Sequence, residues 1–266
     1  MEGASIQTRR ATASLAAILE ELELRQPKIV TGELLDEVLG TVGSHLARVA
    51  AAERLVREGW LVPLRTRAAW EFVPAARAGR YPSGDPWIEL RAYLIGHPDA
   101  PVAVAFASAV WAMGYSSHQP TRLTIAHRSG WRSPKALRAA QSVLYEWRLP
   151  TWSKEGLPIW HPATIVVAAA ARPGAHDDWA NADEWLPETM RATTPNDVLT
   201  EAEGKSAGTL ARLAYFAEWC GRSDIVDALA PLLPSRLPVT LLGPEDRSDR
   251  RWVKRWRLYD SLLPAR

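Results

Sequence analysis

Apolar residues near the start of the chain recur at intervals of three and four positions. Leu15, Ile18, Leu19 and Leu22 share one helical face, and a group of glutamates falls mostly off that face. This spacing is typical of an amphipathic helix with one buried side. The pattern predicts a first helix that ends near Pro27, because proline removes a backbone donor.

Two further helices are predicted after a short extended stretch at residues 29–30. Thr31 is suited to cap the first of them, and a turn at residues 40–43 follows it. The predicted buried face of this helix consists of Leu34, Leu35, Val38 and Leu39. The third helix is expected to begin at Ser44 and to end at Gly59 in a left-handed cap. Its predicted apolar stripe consists of Leu46, Val49, Ala52, Leu55 and Val56.

A basic-tipped hairpin is predicted next, with strands at residues 61–64 and 70–73 joined through Arg65, Thr66 and Arg67. The order helix, turn, helix and two-stranded wing is that of a winged helix-turn-helix, which places one helix in the DNA major groove. The sequence therefore predicts an α+β protein whose N-terminal domain, residues 1–78, is a winged helix-turn-helix.

The remainder, residues 79–266, is predicted to be a larger mixed α+β domain. Residues 75–84 are rich in Ala, Gly, Arg and Pro, as expected of a linker. Strands are predicted at residues 123–125 and 142–147. Helices are predicted at residues 85–95, 101–114, 162–171, 209–220, 223–233 and 250–263.

The third helix provides the predicted DNA-reading face. Projected at about 100° per residue, the side opposite its apolar stripe carries Ala47, Ala51 and Arg54, flanked by Arg48 and Arg57. Alanines allow close approach to the groove, and arginines reach phosphates or guanine edges. An alanine-rich surface helix with solvated arginines is the alternative interpretation. The predicted DNA contacts are Thr31, Ser44, His45, Arg48, Ala51, Arg54, Arg65 and Arg67.

The predicted DNA contacts outside the third helix also have simpler structural explanations. Arg65 and Arg67 are expected to grip the phosphate backbone or minor groove beside the third helix, although a solvated turn would look the same in sequence. The Thr31 hydroxyl is expected either to contact a phosphate or to serve only as a helix cap.

Composition narrows the function classes. With 47% hydrophobic and 23% charged residues the chain is ordinary globular material. A net charge of +2 means that DNA affinity must come from local placement of charge. Cys220 is the single cysteine, which excludes an internal disulfide. No apolar run approaches the roughly 20 residues that span a bilayer. Residues 1–10 lack the apolar core of a signal peptide, so we expect a cytoplasmic protein.

No catalytic or cofactor site is predicted. The six histidines are dispersed without metal-ligand spacing, and no nucleophile elbow, phosphate-binding loop or zinc-protease motif is present. We therefore expect no metal, no cofactor and no enzymatic activity. An enzyme that acts on nucleic acid, targeted by the winged domain, is the alternative with least support.

Basic and aromatic residues alternate near the C-terminus. If residues 250–263 are helical, Trp252, Trp256 and Tyr259 share one face and dock the helix, leaving its cations outward. The outward side would be a second phosphate-binding patch, a protein-partner surface or merely a solvated face. Its members are Arg250, Arg251, Lys254 and Arg255.

Four segments resemble the AbiEi-type antitoxins of type IV toxin–antitoxin systems. They are RLVREGWLVPL at 54–64, AFASAVWAMGYSSHQPTRLTIA at 105–126, LPIWHPATIVVAAAARP at 157–173 and WRLYDSLLP at 256–264. The resemblance implies a repressor that binds inverted repeats in the promoter of its own operon. It also implies a nucleotidyltransferase-like toxin as partner, with the C-terminal domain neutralising the toxin or supporting cooperative DNA binding.

Two modes of action follow from this resemblance. In the first, the protein is a monomer or DNA-assembled dimer that represses transcription through its winged domain. In the second, the winged domain is a scaffold and the tryptophan-rich C-terminal domain binds the toxin directly.

Overall fold

The chain folds into two compact units. The computed structural model describes residues 13–77, 83–244 and 250–265. One unit is formed by Met1–Ala100 with Pro134–Arg138, and the other by Pro101–Ser133 with Ala139–Arg266. The polar segment 1–10, and residues 78–82 of the predicted linker, lie outside the described residues.

The first unit has the element order of a winged helix-turn-helix. Its elements are α1 (Ala13–Arg25), β1 (Ile29–Thr31), α2 (Gly32–Thr41), α3 (Arg48–Arg57), β2 (Leu61–Pro63) and β3 (Ala69–Phe72). The three strands form one antiparallel sheet in the order β1-β3-β2. The predicted sequence of three helices, a short first strand and a terminal hairpin is present.

The predicted faces of α1 and α2 form the core of this unit. Leu15, Ile18 and Leu22 of α1 are almost completely buried, and they belong to one cluster with Leu35 and Val38 of α2. Burial of these side chains removes apolar surface from water and stabilises the helices, which are too short to persist alone. The periodicity of both helices therefore gave the correct buried side.

The third helix begins later than predicted. Ser44 lies in the preceding turn, where its backbone N–H donates to the carbonyl of Leu39 at 2.9 Å and its hydroxyl accepts from the N–H of Leu46 at 3.3 Å. The residue that caps α3 is Ala47, which has no side-chain oxygen to offer. Ser44 thus closes a turn instead of capping a helix, a role its short hydroxyl also favours. The turn includes Gly43 in the left-handed region, at φ +61°.

The first unit extends past the predicted boundary at residue 78. Helix α4 (Ile88–Gly96) packs its Ile88 and Ala92 against Ile29 of β1 and Ala69 of β3. This small apolar cluster attaches α4 to the winged sheet. A helix that looked from sequence like the start of the second domain is therefore part of the first unit.

The second unit is built on a mixed five-stranded sheet in the order β6-β5-β4-β8-β7. Its strands are β4 (Val102–Val104), β5 (Thr124–His127), β6 (Gln141–Leu144), β7 (Trp152–Lys154) and β8 (Leu157–Ile159). Its helices are α5 (Phe106–Met113), α6 (Pro162–Ala171), α7 (Ala182–Arg191), α8 (Pro195–Ala202), α9 (Ala207–Trp219) and α10 (Ser223–Leu229). Helix α6 is buried on every side, so it forms the centre of the helical layer.

The predicted helix at residues 101–114 is wrong over its first part. Residues 102–104 form β4, which pairs with β5 on one side and β8 on the other. Only α5 is helical. A short apolar segment buried on both faces has no period that separates a strand from a helix, and here the neighbouring strands decide.

The C-terminal segment is a hairpin, and the predicted helix at residues 250–263 is wrong. Strands β10 (Arg251–Val253) and β11 (Leu258–Asp260) pair antiparallel, and β11 pairs in parallel with β9 (Thr240–Leu242). The carboxylate of Asp260 is buried and accepts from Tyr215 and Arg251, both at 2.8 Å. These bonds hold the strand to α9 and outweigh the local helical spacing.

His176 makes the stability of the second unit depend on pH. It is buried between Trp179 and Trp185, with ring centroids 5.2 and 4.2 Å away, and neither ring nitrogen has a hydrogen-bond partner in the described part of the chain. Burial lowers its pKa to about 3. The folded protein therefore keeps a neutral ring, whereas the unfolded chain takes up a proton below about pH 6.5.

The free energy of unfolding should consequently fall as the pH falls through 6.5. The loss between pH 7 and pH 5.5 should be about 1 kcal/mol from this residue alone. Unfolding by urea at both pH values measures this loss. Between pH 7 and pH 5.5, the free energy of unfolding of His176→Leu should fall by about 1 kcal/mol less than that of the wild type. The exposed His118→Leu should retain the wild-type dependence, and an equal loss in all three proteins would contradict the assignment.

Candidate nucleic-acid interface

Helix α3 presents a different side to solvent from the one predicted. Ala51 is completely buried in the core of the unit, with Ala52 and Leu55. Val49 is 65% exposed, and Glu53 is exposed one turn later. The prediction that Ala51 faces DNA is wrong, because a small side chain at this position lets α3 pack closely on its neighbours.

Arg48 is held by an ion pair instead of extending freely from α3. Its Nη1 lies 2.7 Å from Oδ2 of Asp36 in α2, and both side chains remain about half exposed. The guanidinium also lies against Gly32, where a Cβ would be only 3.1 Å from Nη1. The arrangement orients the Arg48 side chain at the N-terminal end of α2, but its charge is partly balanced by Asp36.

The other predicted residues of α3 and its preceding turn occupy mixed environments. His45 is exposed just before the helix, and Arg54 is half-buried on its side. Arg57 is exposed and lies 3.9 Å from a carboxylate oxygen of Glu58. An exposed pair at that separation contributes little to stability.

The wing tip at residues 64–68 is anchored through its backbone. The N–H of Arg65 donates to both carboxylate oxygens of Glu89, at 3.0 and 3.1 Å. The carbonyl of Ala68 accepts from the N–H of Gly32 at 2.9 Å. The side chains of Arg65 and Arg67 are exposed, and within the described ranges neither forms an ion pair. Rigid backbone and available cations suit a tip that contacts phosphates.

Thr31 acts as the N-cap of α2. Its hydroxyl oxygen accepts from the N–H of Leu34 at 3.2 Å. The pKa of Glu33 is lowered, first by a hydrogen bond from its own backbone N–H, then by one from the Thr31 hydroxyl, and also by Arg48. Both hydrogen-bonding roles of the hydroxyl are thus used within the cap. The simpler of the two interpretations of Thr31 is the one that the structure supports.

A groove of about 600 Å³ lies between α3 and the wing. Its apolar lining comes from Val49, Ala52, Val56, Pro63, Ala68 and Trp70. Its charged edges are Arg48, Arg57, Arg67 and the carboxylate of Glu53. Sequence reasoning missed Val49 and Glu53, because it placed Val49 in the core and gave the acidic residue no role. Ala52 and Leu55 of the predicted stripe are buried, so the helical projection was wrong by a rotation smaller than the roughly 100° of one residue.

The predicted C-terminal basic patch is largely neutralised. Arg251 pairs with Asp260 at 2.8 Å, and Arg255 pairs with Glu218 while lying 4.8 Å above the Trp256 ring. Arg250 lies 5.6 Å from the Tyr259 ring centroid, and Lys254 is exposed. Of the four predicted residues, Arg250 and Lys254 are exposed without an ion pair in the described part of the chain, whereas Arg255 is exposed but paired.

An exposed aromatic pair replaces the predicted docking face at this end of the chain. Trp252 and Tyr259 are cross-strand partners with ring centroids 4.7 Å apart, and they are 42% and 38% exposed. Trp256 is buried, and its indole N–H donates to Glu218 at 2.5 Å. The aromatic residues thus occupy opposite environments, which no single helical face would give.

Across residues 13–77, 83–244 and 250–265, no group of three or more His, Cys, Asp or Glu side chains is arranged to hold a metal ion. Within the same residues, every helix is too short or too polar to cross a bilayer.

Known proteins provide two points of comparison. The family profile of the AbiEi antitoxin C-terminal domain matches residues 102–219, which run from β4 to the end of α9. The crystal structure of the RV2827C protein from Mycobacterium tuberculosis is similar over 96% of this chain and 94% of that one, with a TM-score of 0.83 and 25% identity. No curated protein gives a significant match. The family resemblance found in the sequence is confirmed to this extent: residues 102–219 match the model of the AbiEi antitoxin C-terminal domain.

Proposed function

We propose that the protein is an antitoxin that represses its own operon by binding promoter DNA through the winged unit. The observation that carries the proposal is the wing tip, where Arg65 and Arg67 extend without a described acidic partner beside the outward side of α3. The AbiEi antitoxin domain supports the antitoxin role. We further propose that the protein acts in the cytoplasm, without enzymatic activity or a cofactor.

The charge distribution of the winged unit suits a duplex. Arg48, Arg57 and Arg67 border the groove beside α3, and Arg65 extends from the same tip as Arg67. When arginines neutralise phosphates, the counterions bound there are released. The affinity therefore falls as the salt concentration rises, and the slope of log affinity against log salt is about −0.9 per neutralised phosphate. If all four arginines contact phosphates, each copy should contribute a slope of about −3.6.

The function is tested with duplex DNA from the region upstream of the gene. Fluorescence anisotropy should show tighter binding of the full chain to this duplex than to a scrambled duplex of equal length and composition. A repressor should discriminate by roughly 1,000-fold or more at physiological salt. Equal affinity for the two duplexes would contradict the proposal that the protein is a sequence-specific repressor.

The toxin is the second partner in this proposal. The AbiEi resemblance implies a nucleotidyltransferase-like toxin, and we expect its gene beside this one. Two modes of DNA binding fit the proposal, namely a monomer and a dimer assembled on inverted repeats. In the second mode, a two-fold operator would place two winged units on the duplex.

Direct binding of the toxin by the second unit is the alternative, and the exposed Trp252–Tyr259 pair favours it. Aromatic residues are enriched at the energetic centres of protein interfaces. If this pair contacts the toxin, Trp252→Ala/Tyr259→Ala should lower affinity for the toxin by more than about 30-fold. Trp152→Ala, which removes a similarly exposed tryptophan of β7, is the matched control. Unchanged affinity of the double variant for the adjacent gene product, measured by calorimetry, would exclude the pair from the interface.

A further inference from the structure

Val49 and Glu53 occupy the outward side of α3 one helical turn apart. Val49 is 65% exposed, and Glu53 is exposed on the same border of the groove. Neither residue is needed for the core, which is formed on the other side of the helix by Ala51, Ala52 and Leu55. Their role at a DNA interface rests on the proposed binding of duplex DNA by this unit.

The Val49 side chain offers an apolar contact at the leading end of α3. It continues the apolar lining that Ala52 and Val56 give to the groove. A β-branched residue at an exposed helical position is slightly unfavourable for the helix, so helix propensity does not account for Val49. In the DNA major groove the one apolar group is the C5-methyl of thymine. Contact with that methyl would remove both groups from water.

The Glu53 side chain sets a stricter condition on the base that faces it. Its carboxylate makes no hydrogen bond or ion pair with any residue of the described segments. Phosphates of the DNA repel a carboxylate. In the major groove the carboxylate loses its hydrating water, so it is tolerated there only where a hydrogen-bond donor of a base replaces that water. The amino group at N4 of cytosine is the donor that carboxylates accept from in the major groove.

We propose that Val49 and Glu53 are the base-reading residues of this protein, recognising a thymine methyl and a cytosine amino group respectively. Four residues of helix rise about 6 Å, whereas base pairs stack about 3.4 Å apart, so the two bases should be neighbours or one pair apart. Arg65 and Arg67 at the wing supply affinity that is independent of sequence, while these two side chains select the site.

The thymine contact is tested by removing the methyl group alone. Each thymine of the promoter duplex is replaced in turn by deoxyuridine, and affinity is measured for the full chain and for Val49→Ala. At one position in each half-site the wild type should lose affinity about fourfold. Val49→Ala should be insensitive to the same replacement. Val239→Ala, at an exposed valine of the second unit, should respond as the wild type does.

The cytosine contact is tested by selecting preferred sites from a randomised duplex library. The wild type should favour cytosine over other bases by about tenfold at one position near the sensitive thymine. Glu53→Gln should prefer adenine there, because the amide pairs with adenine N6 and N7. Glu20→Gln, on an exposed position of α1, should select the wild-type sites.

The outcomes separate this inference from the proposed function. Specific binding in which Val49→Ala keeps the full deoxyuridine penalty would overturn the thymine contact, and identical selected sites for Glu53→Gln and the wild type would overturn the cytosine contact. In both cases the repressor function would stand. Failure of the wild type to discriminate the promoter from scrambled DNA would overturn the repressor function and this inference together.

Discussion

Replacing Arg65 and Arg67 together with alanine should weaken binding to the promoter duplex by at least about 100-fold, because each guanidinium is proposed to form a charge-assisted bond with a phosphate, worth roughly 1.5–3 kcal/mol. The slope of log affinity against log salt should become shallower by about 1.8, the contribution of two phosphates. Anisotropy titrations at several salt concentrations measure both quantities.

This loss should occur without loss of the fold. The wing tip is held through the N–H of Arg65 on Glu89 and through the carbonyl of Ala68 on Gly32, and neither bond uses the replaced side chains. Thermal melting should therefore match the wild type. Arg148→Ala/Arg191→Ala, which removes two exposed arginines of the second unit, should retain wild-type affinity. A wing variant that keeps both the affinity and the salt slope of the wild type would exclude the wing from the interface.

Replacing Ala51 with aspartate should destabilise the winged unit by about 3 kcal/mol or more, because it buries a carboxylate in a close-packed core without a partner. DNA binding would then be lost through unfolding. The free energy of unfolding is measured by urea denaturation followed by circular dichroism.

Ala47→Asp is the matched control and should act in the opposite direction. Ala47 caps α3 without a side-chain hydrogen bond, so an aspartate there can accept from the first turn and stabilise the helix by about 1 kcal/mol. The helical projection from sequence placed both alanines on one solvent face. Equal stability of the two variants would support that earlier projection and contradict the burial of Ala51.

The sequence was sufficient for the order of elements from α1 to β3, although it assigned α4 to the second domain. Leucines at intervals of three and four determine the buried sides of α1 and α2, because one apolar stripe per helix is enough to form this core. The hairpin was also predictable, because two strand-like segments, at residues 61–64 and 70–73, flank the polar tip that carries Arg65 and Arg67. Of the four segments that carry the antitoxin resemblance, those at 105–126 and 157–173 lie within the range that the family profile matches.

The exposed side of α3 was not predictable from hydrophobicity. Valine ranks above alanine for burial, so the projection put Val49 inside and Ala51 outside. The structure reverses them, because close packing in this core accepts a methyl group where it would not accept a larger side chain. The prediction that α3 begins at Ser44 was also wrong, since a serine that caps a helix and one that closes a turn have the same local sequence.

The C-terminal hairpin was hidden by a coincidence of spacing. Trp252 and Tyr259 are seven residues apart, which fits one face of a helix as well as opposite positions in a hairpin. The contacts that select the hairpin are distant in sequence, namely β9 and the hydroxyl of Tyr215 on Asp260. Local patterns cannot contain that information.

The central claim is that the winged unit lies on duplex DNA with the outward side of α3 and the wing tip against it. Hydrogen exchange of the full chain, measured with and without the promoter duplex, tests this most directly. The account predicts slower exchange in residues 44–57 and 64–68 when DNA is bound. Protection confined to residues 101–266, with these two segments unchanged, would contradict it.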